Sequence, residues 1–289
     1  MDMSDVTAVG RPVDPRYPTN LAIAIITALV AVAGAAWQWL TGATLFGGAL
    51  WGIGAGLAVF LAWALARELD PDHDLSAFVG AGLTLVALPF LGLPQFLSLF
   101  WMMLALRIVN RTVGLPARPL DSLAILGLGL WLTWSGGWIY GLATAAALFL
   151  DGWQAPPLRR HLLLSGVTLA ATILLALLAN PALSGGWDWG WLRFVTYVAG
   201  LLFLIATETM DTPQALCDET GEPVRPARVR AAQLLALVTA LMVMGRSGQG
   251  GLIALLPLWA AMLGVALYDL ISHLVRARQS ADTGQRAQS

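Results

Sequence analysis

Four carboxylates and an imidazole fall within the seven residues Glu68-Leu69-Asp70-Pro71-Asp72-His73-Asp74. Hard oxygen donors of this kind hold divalent cations, so Glu68, Asp70, Asp72 and Asp74 form a candidate metal site, with Mg²⁺ as the cofactor in question. The alternation of Asp70, Asp72 and Asp74 begins like a calcium loop, but Leu75 stands where that loop needs glycine and Ala81 where it needs its bidentate glutamate. A plainer reading is favoured. Asp70 before Pro71 suits an N-cap, with Asp72 and Asp74 in the first turn of the next helix, or Asp74 caps that helix directly.

A second set is Arg107, Asn110 and Arg111. The two arginines are four residues apart and share a helical face, so they can clamp a phosphate or a lipid headgroup with paired hydrogen bonds. The competing reading has them snorkel to anionic lipid and fix topology. A third set comprises Asp151, Glu208, Asp211 and Asp269, each at the end of an apolar segment, where a lone carboxylate is costly. Asp269 and His273 are spaced to touch, whereas His161 has no second ligand one turn away. Brought together with Arg107 or Arg111, these acids would position a metal-bound diphosphate or a lipid-linked substrate. Kept apart, they would form interhelical ion pairs of little individual weight. No phosphate loop, nucleophile elbow, zinc-protease helix or CxxC pair occurs.

The elements that must carry these groups are membrane helices. Of 289 residues, 58% are hydrophobic and 11% charged, less than half the charge of a soluble domain. This excludes an ordinary soluble protein, a disordered chain and a nucleic-acid binder. All 16 basic residues are arginine, which excludes a lysine Schiff base, and the single cysteine excludes an internal disulfide.

Apolar runs lie near 20–40, 45–66, 76–91, 95–110, 120–134, 137–150, 161–180, 190–208, 229–245 and 251–274. Two joins are ambiguous, one through Pro89, Gly92 and Pro94 and one through Gly136 and Gly137. Arginine placement decides between the counts, because positive residues gather in cytoplasmic loops. With ten spans and both termini inside, only Arg193 and Arg246 fall outside. Fusing 120–150 divides the arginines evenly between the two sides, and eight spans is the runner-up. Trp37, Trp39, Trp51, Trp131, Trp134, Trp138, Trp187, Trp189 and Trp191 collect at the opposite ends, where indole rings anchor in headgroups, and Asp188 is the one acid there.

The expected fold is therefore all-α, a polytopic transmembrane bundle of about ten helices in five hairpins. Residues 1–19 form a cytoplasmic tail without the features of a signal peptide, 20–275 the membrane domain, and 276–289 a disordered cytoplasmic tail. Gly48, Gly52 and Gly56 form a strip that lets a neighbouring helix approach closely. No ionisable residue stands at the centre of a span, which counts against ion-coupled transport. Threonines there can bond back to their own helix. The lysine-free composition suggests a bacterial inner membrane.

Three functions fit. The first is binding or conversion of a lipid-linked or phosphorylated substrate at the charged cytoplasmic face. The second is transport of an uncharged or weakly polar solute past the tryptophan-rich turns. The third is a non-catalytic assembly protein that recruits a protein partner through loops 67–75 and 209–228.

Overall fold

A computed structural model describes residues 7–10, 13–179 and 190–286. Arg11, Trp187, Asp188 and Trp189 lie outside the described residues. The described residues form eleven helices: α1 Pro18–Leu40, α2 Leu45–Leu69, α3 Asp74–Leu91, α4 Phe96–Asn110, α5 Pro119–Gly136, α6 Trp138–Trp153, α7 Arg160–Ala179, α8 Trp191–Thr209, α9 Pro226–Ser247, α10 Gln249–Ala254 and α11 Leu256–Arg286. The only extended pairing among them is an isolated bridge between Leu216 and Pro223. Seven helices (α1, α2, α3, α7, α8, α9 and α11 as far as Arg276) are long and apolar enough to cross a membrane. The protein is thus a multi-pass membrane protein. Helix α4 is apolar but has only 15 residues, about 22 Å of axial rise.

Local chemistry sets the helix boundaries. Proline occupies the first turn of α1, α5 and α9, where its missing N–H costs nothing. Thr44 caps α2 by accepting from the Gly47 amide. Both ambiguous joins are breaks. Gly92 (φ 83°) ends α3 and Gly137 (φ 115°) separates α5 from α6, in a backbone region open to glycine and strained for other residues. The last apolar run is divided at Leu255, just before Pro257, so α10 is a separate short helix.

Packing follows the small residues. Helix α1 packs mainly on α2, and α11 packs on α2, α3 and α8. A Cβ on Gly52 would stand 2.2 Å from the Ala31 carbonyl oxygen, so the glycine strip is where α1 comes closest. Gly80 and Gly264 make the equivalent contact between α3 and α11. The hydroxyls of Thr84, Thr133, Thr168, Thr172 and Thr196 each donate to the carbonyl four residues back, satisfying themselves without a ligand. Ser98 instead bonds across to Gln95 and Tyr140.

Candidate functional site

The most deeply buried charged group is Asp151 at the end of α6, with no exposed surface. Its Oδ1 accepts from Arg111 Nε at 2.7 Å and Arg228 Nη1 at 3.0 Å, while His161 Nδ1 stands 2.7 Å from Oδ2. Two guanidiniums thus face one carboxylate. Backbone carbonyls take up further donors: Val109, Gln154, Ala155 and Pro156 accept from Arg228, and Pro156 also accepts from Arg111. Val109 lies in the last turn of α4 and Gln154 caps α6, at the negative ends of those helix dipoles, while Ala155 and Pro156 lie in the loop after α6.

Ser122 on α5 extends the set, its Oγ lying 2.8 Å from His161 Nε2. Ser122, His161 and Asp151 therefore stand in the order of a nucleophile relay. All three are buried, and the Ser122 hydroxyl donates to the Arg118 carbonyl, so an incoming substrate carbonyl has no approach. The arrangement ties α5, α6 and α7 together.

Glu68 at the end of α2 is the second buried carboxylate. Its oxygens accept from Arg107 Nε (2.8 Å), Asn110 Nδ2 (2.9 Å) and the Thr112 hydroxyl (2.8 Å). Arg107 also donates to the Val9 carbonyl, and the Ala8 amide donates to Asp121. The expected paired clamp of Arg107 and Arg111 does not form. Arg111 follows the last turn of α4 in the left-handed region (φ 51°), so its side chain leaves the face that carries Arg107.

The loop before α3 also divides its acids. Helix α3 begins at Asp74 with His73 as N-cap, so Asp70-Pro71 does not open it. Asp70 Oδ1 lies 3.0 Å from His73 Nδ1, and Asp74 pairs with Arg67. Asp72 accepts from the backbone amides of Gln214 (2.9 Å) and Ala215 (2.8 Å) in the long 209–228 connection. Glu68, Asp70, Asp72 and Asp74 thus face four different sets of donors. Among the described residues no three or more His, Cys, Asp or Glu side chains are placed to hold a metal ion. The hydrogen bond that His73 donates to Asp70 raises the His73 pKa above its usual value, with the negative charges of Asp70 and Asp72 adding to it.

The remaining acids lie nearby but apart. Asp211 pairs with Arg276 at 2.8 Å, which lowers the Asp211 pKa. Asp269 accepts from the Thr209 hydroxyl at 2.8 Å and faces His273 at 3.4 Å, the contact that their spacing predicts. Glu208 is exposed.

Two cavities use the same helices at opposite ends. One, of about 50 Å³, lies at the charged end among Asp70, Asp72, His73, Thr207, Asp211, Gln233, Tyr268, Asp269 and Arg276. The other, of about 850 Å³, lies at the tryptophan-rich end among Phe90, Trp191, Arg193, Met244, Ser247, Gln249 and Leu252. Helices α8 and α9 supply walls to both, while α3 lines only the wide cavity and α11 only the narrow one. Along α8 and α9, the buried residues between the cavities are mostly small or apolar: Ala199, Gly200 and Phe203; Ala236, Leu237 and Ala240, with the hydroxyls of Thr196 and Thr239 among them. Gly200 faces Leu237, Leu241 and Trp259. Trp259 is buried, and its indole N–H has no hydrogen-bond acceptor.

Sequence reasoning missed Arg228, Gln233, Tyr268 and Trp259. The first reads as one more topogenic arginine and the last as core, because their partners come from remote helices. Against protein-family models, curated proteins and solved structures, the chain shows no match.

Proposed function

We propose that the protein is a transporter of a small uncharged or weakly polar solute, with its path between α3, α8, α9 and α11. The observation that carries this reading is the pair of cavities at opposite ends of α8 and α9, with a largely apolar stretch of both helices between them. The barrier holds no ionisable side chain, so a charged solute would lose its hydration with nothing in return. Its one unsatisfied polar group is the Trp259 N–H, a donor for a passing carbonyl or hydroxyl. Barrier faces of alanine and glycine suit helices that slide past one another, and the lack of a central ionisable group suits facilitated diffusion over ion coupling.

The same reading places ten helices across a bacterial inner membrane as five hairpins, with both termini in the cytoplasm. Support comes from polar contacts that join the ends of α2, α4, α6 and α8 to the beginnings of α3, α5, α7 and α9, and from the one-sided arginines. The lipid-linked-substrate reading is less favoured, because Arg107, Arg111 and Asp151 sit in two separately paired sets away from Asp211 and Asp269. The recruitment reading is less favoured because Asp72 ties the two candidate loops to each other.

The test is solute flux into proteoliposomes, followed by light scattering with a panel of small neutral solutes. At least one solute should enter faster than into empty liposomes. Gly200→Phe, which would drive a ring into Leu237 and Leu241, should return that rate to background. Rates equal to those of empty liposomes for every solute would overturn the proposal.

A further inference from the structure

Away from that path, a cleft of about 200 Å³ opens between the start of α1, the second half of α2 and α4. Its two ends differ in chemistry. Arg67 and Arg107 line one, and Phe60, Trp63, Phe100 and Met103 line the rest. Glu68 also borders the cleft and pairs with Arg107, and Arg67 pairs with Asp74 at the start of α3, so each guanidinium meets one acid and can turn only its remaining donors to a ligand. Arg107 spends Nε on Glu68 and Nη1 on the Val9 carbonyl, two of the five donors of a guanidinium.

A second observation points to a ligand. Trp63 is 7% exposed and lines the cleft, yet its indole N–H has no acceptor. Buried donors are normally paired, so one left open in a cleft that two guanidiniums also line marks the place of an acceptor oxygen.

We propose that this cleft binds the phosphate-bearing headgroup of an anionic phospholipid from the adjoining leaflet. Arg107 and the Trp63 N–H donate to the phosphate, Arg67 adds the donors that its pairing with Asp74 leaves over, and an acyl chain lies along Phe60, Phe100 and Met103. The rings and the cations are arranged as an amphiphile requires: apolar body within, charged head at the membrane boundary. Free phosphate shares the headgroup chemistry but leaves the aromatic wall unused.

The experiment is native mass spectrometry of the full chain in detergent, titrated with phosphatidylglycerol, phosphatidylcholine or inorganic phosphate. Phosphatidylglycerol should be retained about tenfold more tightly than phosphatidylcholine. Trp63→Phe keeps the ring but removes the donor and should weaken phosphatidylglycerol about threefold to tenfold, leaving phosphatidylcholine unchanged. Arg107→Gln should weaken it further, and a melting curve of each variant reports whether it is folded. Displacement of phosphatidylglycerol by inorganic phosphate would support the site with free phosphate as its ligand, and no displacement would support the lipid. Equal retention of the two lipids, or wild-type affinity in Trp63→Phe, would overturn the proposal.

Discussion

Arg111 adopts a left-handed backbone just past α4, and from there its Nε donates to Asp151 Oδ1 at 2.7 Å. That one left-handed residue turns the guanidinium away from Arg107 and onto the buried carboxylate in the last turn of α6. Two arginines that share a helical face on paper serve different acids, Glu68 and Asp151.

Removing the buried carboxylate should be severe. Asp151→Asn leaves Arg111 and Arg228 without their counter-charge in a site with no exposed surface, at a cost of about 3–5 kcal/mol. Thermal unfolding in detergent should show a large drop in Tm or no monodisperse protein. Ser122→Ala removes only a hydroxyl and should cost about 1 kcal/mol, with solute flux unchanged. A normal Tm in Asp151→Asn would show that the ion pairs carry no stability.

The His73 imidazole gives a pH signature. Its partner Asp70 raises its pKa above 6.5, so the pair stabilises the fold at pH values below the unfolded value. That contribution is lost as pH rises through the higher folded value. His73 is partly exposed and packs on Tyr268 of α11, with Asp72 and Arg276 also acting on it, so the effect should stay under about 1 kcal/mol. Melting curves between about pH 6 and 8 should show Tm falling as pH rises in the wild type and a flatter profile in Asp70→Asn. Parallel profiles would exclude the pair as the source.

The contact between α1 and α2 rests on absent side chains. Gly52→Val would place a Cβ 2.2 Å from the Ala31 carbonyl oxygen and 2.6 Å from the Ala35 amide, both backbone atoms that cannot turn aside. The expected cost is about 1–3 kcal/mol, and α1 should swing away from α2. Thermal unfolding in detergent should show a lowered Tm for Gly52→Val. Gly82→Ala, with open space around its Cβ, should leave Tm unchanged, and equal Tm values for the two would contradict the close contact.

Much of the fold is legible in the sequence because membrane helices are set by apolar length and by proline, glycine and arginine at their ends. The run near 95–110 becomes α4 at Phe96–Asn110, and the strip at Gly48, Gly52 and Gly56 is a helix contact. The start of α3 is less legible. Asp70-Pro71 carries a cap signal, but Asp70 spends its carboxylate on His73, and the helix begins at Asp74. The polar clusters are least legible, since their partners come from distant parts of the chain: Asp151 meets Arg228 from α9, and Asp72 meets the amides of Gln214 and Ala215. Local spacing shows that Arg107 and Arg111 can share a face, but not that a left-handed residue separates them.

Sided thiol labelling tests the proposed path most directly. In a Cys217→Ser background, Ser247→Cys lines the wide cavity and Ser272→Cys the narrow one. A membrane-impermeant maleimide should label the first only from outside intact cells and the second only from inverted vesicles. Labelling of both from the same side would place the two mouths in one compartment, and a transport path between them would be impossible.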